Sequence, residues 1–201
     1  MLRYDEPALV RDLARVRSNA RVGFAATCAE RLFPAYVDFC AASGRGDRGV
    51  LAEVLERLWQ HLLGVEMTKE EVRSELSRCM ALVPGDDDGP RVNEQACAGD
   101  AVAAVAYALR ALETSEPQEA AWAARRAYEA ADRFVIDRLD VRLDVGGEAR
   151  VLAHPIVQAE ISRQLRDLRE LLATQPASTE LLVRLRDRAR EESRSFFASD
   201  S

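Results

Sequence analysis

Residues 47–64 read D-R-G-V-L-A-E-V-L-E-R-L-W-Q-H-L-L-G. Val50, Leu51, Val54, Leu55, Leu58, Trp59 and Leu62 recur at steps of three and four, which gathers them on one side of an α-helix and leaves Glu53, Glu56, Arg57 and Gln60 opposite. A strand would need a period of two, which the stretch lacks. Asp47 offers a side-chain oxygen to the orphan N–H groups of the first turn and is the expected N-cap; Gly64 is the expected stop.

The same periodicity extends in both directions. Upstream, a helix is expected over about Pro7–Ser18, then a second over about Ala20–Ala42. Pro34 should kink or restart the second one, because it has no N–H and its ring clashes with the preceding turn. Downstream, Thr68 and Glu71 have the spacing of a capping box and open a fourth helix that Pro84 ends. Asn93 can cap an alanine-rich fifth helix, whose small side chains let neighbours approach closely and suit a central element. Ser115 and Gln118 form a second capping-box pattern, before a long sixth helix. His154-Pro155 and Ser178 start two more. Near 141–152, alternating residues around Gly146-Gly147 could instead form a small β-hairpin. The fold class is therefore all-α: a single globular bundle of about seven or eight helices over residues 1–195, with 196–201 as a frayed tail.

Composition narrows the function classes. The chain has 201 residues, 48% of them hydrophobic, enough apolar surface for one packed core. Its net charge of -6 is the wrong sign for a non-specific grip on nucleic acid or anionic lipid, so neither partner is expected. The segment Ala96–Leu109 contains Asp100 and is too short and too weakly apolar to span a bilayer. Asp5, Glu6 and Pro7 interrupt any secretory signal, and Cys28, Cys40, Cys79 and Cys97 form no C-x-x-C pair; a cytoplasmic protein with reduced thiols is expected. With two histidines and no ligand spacing, no metal or other cofactor is expected.

Two stretches resemble a known family. Phe24, Cys28, Glu30-Arg31, Pro34, Tyr36, Phe39, Gly44, Gly46, Asp47 and Trp59, within 24–62, are similar to the YjaG-like family of bacterial proteins, a family named as a domain of unknown function. His154-Pro155-Ile156-Val157-Gln158-Ala159-Glu160, with Gln164 and Leu165, looks like that family's C-terminal helix opening, where an Asn-Pro pair is common and this chain has His-Pro. The resemblance implies an all-α fold over most of the chain and implies no activity.

Among residues that could carry chemistry, Gly44–Gly49 matches G-x-G-x-x-G but follows a helix rather than a strand, and Asp47 would place a carboxylate where a phosphate should sit. A tight interhelical turn is the expected reading. Asp86-Asp87-Asp88-Gly89 lacks the calcium-loop spacing and reads as a solvated acidic loop. His61 and His154 are assigned packing or capping roles. Arg184, Arg186, Arg188, Arg190 and Arg194, set against Glu180, Asp187, Glu191 and Glu192, read as a mixed solvated face.

The candidate pocket or ion-pair network is Glu30, Arg31, Tyr36, Asp47 and Asp100. Carboxylates converging in a cleft can do acid/base work or hold a hard cation, whereas the plainer reading is an ion-pair network in which Arg31 satisfies the acids. Asp100, in the most apolar helix, must find partners or take up a proton. No nucleophile stands beside a base, so a non-enzymatic interaction protein of regulatory or immunity type is the leading reading, with a protein partner. The alternative is an enzyme or small-ligand binder using an acidic pocket between helices. A homodimer closed by Trp59, Trp122 or Phe196-Phe197 is a third expectation.

Overall fold

In the computed structural model, residues 1–85, 92–138 and 146–196 are described. Among them there are nine helices and no strand: α1 (Glu6–Leu13), α2 (Ser18–Ser43), α3 (Arg48–Leu62), α4 (Lys69–Met80), α5 (Val92–Thr114), α6 (Pro117–Arg138), α7 (Gly147–Ala153), α8 (Pro155–Ala173) and α9 (Thr179–Phe196). The all-α bundle is as the periodicity requires. The additional element is α7. Residues 148–152 lie inside that helix, which removes the second arm of the expected hairpin; 139–145 lie outside the described residues, as do the acidic loop at 86–89 and the tail from 197.

Local chemistry sets most of the helix ends. Asp5 and Asp47 cap α1 and α3 through their side chains, and Thr68 and Glu71 make the reciprocal capping box of α4. The His154 side chain accepts from the Ile156 N–H ahead of α8, and Ser178 Oγ accepts from the Leu181 N–H. The second capping box is not formed. Ser115 has φ +60° and its hydroxyl meets Ser18, while Gln118 donates to Glu6 on α1, so tertiary partners take both side chains.

The core is built around α2, which packs against α3, α5, α6, α8 and α9. Pro34 does not restart the chain; α2 runs through it as one helix. A missing N–H removes one intrahelical bond, and packing of this buried helix against five neighbours holds it in line. The alanines do the joining: Ala25, Ala26 and Ala29 of α2, Ala98, Ala101, Ala104 and Ala108 of α5, and Ala120, Ala124 and Ala127 of α6 are all buried, and α2 lies closest along α5. Gly23 marks a close approach of α9, since a Cβ there would sit 2.7 Å from Leu182 Cδ2. Leu13, Leu32, Leu51, Leu58 and Leu109 are fully buried, each stabilising by roughly 1.5–3 kcal/mol before entropy is counted.

Candidate functional site

Trp59 belongs to the apolar stripe of α3 and is fully buried, yet its indole N–H needs an acceptor. Glu30 of α2 provides it: Nε1 donates to Oε2 at 2.7 Å. The other Glu30 oxygen accepts from Arg190 Nε of α9 at 2.6 Å. Arg190 Nη2 lies 3.6 Å from Glu56 Oε2, and Glu56 also accepts from Arg186 Nη2. The Arg186 guanidinium in turn lies over the Trp59 ring, 5.5 Å from its centroid, which closes a ring of five side chains across α2, α3 and α9. The hydrogen bond from Arg186 holds the Glu56 carboxyl below its usual range.

This ring stands on the wall of a groove of about 690 Å³ between α2, α3, α4 and α9. Phe33, Ala52 and Leu55 supply apolar lining; the charged lining is Glu30, Glu53, Glu56 and Glu75 with Arg57, Arg78, Arg186 and Arg190. Arg78 pairs with Glu53 at 2.7 Å and Glu75 at 2.9 Å, so the rim is a chain of matched pairs and not a field of one sign.

Arg31, one residue from Glu30, points elsewhere. Its guanidinium grips Glu160 of α8 with two bonds, Nε to Oε2 at 3.1 Å and Nη2 to Oε1 at 3.0 Å, and donates from Nη1 to Asp167 Oδ2 at 2.9 Å. All three side chains are buried. Gln164 donates to Glu160 and to the Ala124 carbonyl, and Arg188 and Arg166 occupy the second oxygen of Asp167. Burial opposes the Arg31 charge, but Glu160, the Cys28 sulfur and Asp167 outweigh it, so its pKa stands well above the ordinary value. Cys28, against this cluster, is pushed up to about 12 by burial.

Tyr36 and Asp47 meet at the α2–α3 turn. Tyr36 Oη accepts from the Asp47 N–H and donates to the Leu82 carbonyl, both at 3.3 Å, while Asp47 Oδ1 caps α3 through Gly49 and Val50. Gly46 has φ +75°, and a Cβ there would sit 2.6 Å from Tyr36 Oη, so the Gly44–Gly49 segment is the expected interhelical turn. Asp100 accepts from Arg126 at 3.2 Å and from Arg133, both on α6. Burial nevertheless wins over the two arginines and raises its carboxyl above the usual range.

Of the five candidates, then, Tyr36 and Asp47 are brought together, whereas Glu30, Arg31 and Asp100 each have their own partners. His61 Nδ1 accepts from the Met67 N–H, the packing role expected of it. Two further expectations do not hold. Trp59 is inside the protein and cannot cover an interface. The α9 arginines are not simply a solvated face, because Arg186, Arg188 and Arg190 reach inward to Glu56, Asp167 and Glu30. Glu56, Arg186 and Arg190 read in the sequence only as solvated-face residues and Asp167 carried no signal; Glu160 and Gln164 were signalled only by the second family-like stretch.

Comparison with known proteins agrees with this architecture. The family described as "Protein of unknown function (DUF416)" matches residues 9–196. The uncharacterized protein YjaG of Escherichia coli (strain K12) is 33% identical over 76 residues, 38% of this chain and 38% of that protein's length. The crystal structure of a DUF416 family protein from Shewanella baltica OS155 superimposes with a TM-score of 0.80 at 23% identity, covering 90% of this chain and 93% of the other.

Proposed function

This chain belongs to the DUF416 family, and for it we propose a non-enzymatic role: a cytoplasmic helical interaction protein that receives a segment of a protein partner in the groove between α2, α3, α4 and α9. The observation that carries this reading is the groove itself, open, apolar at Phe33, Ala52 and Leu55, and edged by exchangeable ion pairs. Half-exposed pairs of this kind contribute little to stability, so their members can change partner at small cost. A net charge of -6 favours a basic partner and speeds the encounter. Among the groove's acids, Glu56 is held low by Arg186, the wrong direction for a general acid. Four free cysteines accord with a reducing compartment.

Ala52 is exposed in the groove, so Ala52→Trp fills it without disturbing the core. A partner recovered with the wild-type chain and then purified should bind the Ala52→Trp variant at least about tenfold more weakly by calorimetry, the loss expected when a buried contact of about 1.4 kcal/mol is blocked. Equal binding by both would remove the groove from the reading.

A further inference from the structure

The ring around Trp59 has one half-exposed member that joins its two carboxylates. Glu30 is 7% exposed and is already held by the Trp59 indole; Glu56 is already held by Arg186. Arg190 alone bridges the two carboxylates, and its side chain is 48% exposed where that of Arg186 is 11% exposed. Its departure would leave two positioned carboxylates facing the groove.

We propose that this seat recognises an arginine side chain of the protein partner, and that in the free protein it is filled by the chain's own Arg190, which the partner's arginine displaces. The inference rests on the groove being the docking surface. The bonding pattern selects a guanidinium: one N–H edge of the fork meets Glu30 and another faces Glu56, two directions that a compact ammonium does not match as well. An empty seat would strand the buried Glu30 charge, so exchange of one cation for another is the inexpensive route. A second feature concerns what accompanies the guanidinium. Arg186 is nine-tenths buried on the groove wall and its Nε–H has no acceptor. A carbonyl or carboxylate oxygen beside the occupant's guanidinium is the acceptor that this buried donor lacks, and the contact requires the Arg186 side chain to shift toward the groove.

N-acetyl-L-arginine carries both groups and serves as the probe, with N-acetyl-L-citrulline as the uncharged control. By calorimetry, Arg190→Ala should bind N-acetylarginine at least about tenfold more tightly than the wild type, and Glu56→Gln in that background should undo about tenfold, the scale of one charge-assisted hydrogen bond. Arg190→Gln, which keeps the stem of the side chain, repeats the comparison by thermal shift: N-acetylarginine should raise its Tm and leave that of Arg190→Gln/Glu30→Gln unchanged. Affinity no greater than wild type, or equal response to the citrulline derivative, overturns the proposal. That result with a partner still lost on Ala52→Trp leaves the docking reading standing; a partner indifferent to Ala52→Trp removes the docking reading itself.

Discussion

Arg31 and Glu160, 129 residues apart in the chain, are joined by two parallel N–H···O bonds with both side chains fully buried. The pair fastens α2 to α8 and connects the two family-like stretches, and Asp167 shares the same guanidinium. Two carboxylates and one arginine in a dry interior are tolerated because Gln164, Arg166 and Arg188 take up the remaining lone pairs.

Removing Arg31 should therefore be costly for a reason unrelated to lost packing. Arg31→Met leaves Glu160 and Asp167 buried without their shared cation, and about 3–5 kcal/mol of stability should disappear in urea denaturation. The triple variant Arg31→Met/Glu160→Met/Asp167→Leu removes the three buried charges together, leaves Arg166 paired with Glu192 and Arg188 with Glu170, and should recover most of that loss. A single variant within about 1 kcal/mol of wild type would mean that the cluster is not held as described.

The two glycines of the α2–α3 turn separate conformational strain from crowding. Gly44 has φ +68° with open space around it, so Gly44→Ala should cost roughly 1–2 kcal/mol, the price of a left-handed residue alone. At Gly46 the new methyl also meets Tyr36 Oη, which is pinned by Asp47 and Leu82, so Gly46→Ala should cost about 1–3 kcal/mol more. Equal chemical-denaturation midpoints for the two variants would contradict that contact.

Thiol reactivity should follow burial. Cys28 and Cys79 are each pushed up to about 12 by burial, and Cys97 is also buried and raised; burial raises Cys40 as well, but its side chain is only half-buried. With a disulfide reagent at pH 8, Cys40 should be modified first in the native protein, and all four should react once it is unfolded. Mass spectrometry after brief labelling checks the order; early modification of Cys28 would show that the α2 core opens readily.

Two carboxylates should titrate in opposite senses. The Asp100 carboxyl, raised by burial, should show an NMR midpoint above about 3.9, and the Glu56 carboxyl, held by Arg186, one below about 4.3. For Asp100 the folded chain binds the proton more readily than the unfolded one. Its contribution thus favours folding at low pH and is lost as pH rises through the folded midpoint. For Glu56 the contribution is present above its unfolded midpoint and is lost as pH falls through the lowered one. Midpoints reversed between the two residues would refute the assigned causes.

Helix positions and caps were legible because each depends on a handful of neighbouring residues: the stripe from Val50 to Leu62, Asp47 and Thr68 with Glu71 all act within their own turns. Where a side chain had two possible customers the local pattern misled, as with Ser115 and Gln118, which turn to Ser18 and Glu6. The inward reach of Arg186 and Arg190 was hidden for the same reason. A charged residue on an amphipathic helix looks alike in sequence whether it meets water or a carboxylate on another element.

Periodicity and composition by themselves determined that this chain forms an all-α bundle with a net acidic charge, since both follow from the order of apolar and charged side chains along one strand of text. Only the tertiary structure decided that Glu30 and Arg31, adjacent in sequence, serve different clusters. Successive side chains on a helix diverge by about 100°, so Glu30 turns to Trp59 and Arg190 while Arg31 turns to Glu160 and Asp167. Which acid meets which arginine is a matter of how α8 and α9 pack on α2, and that packing involves the whole chain at once.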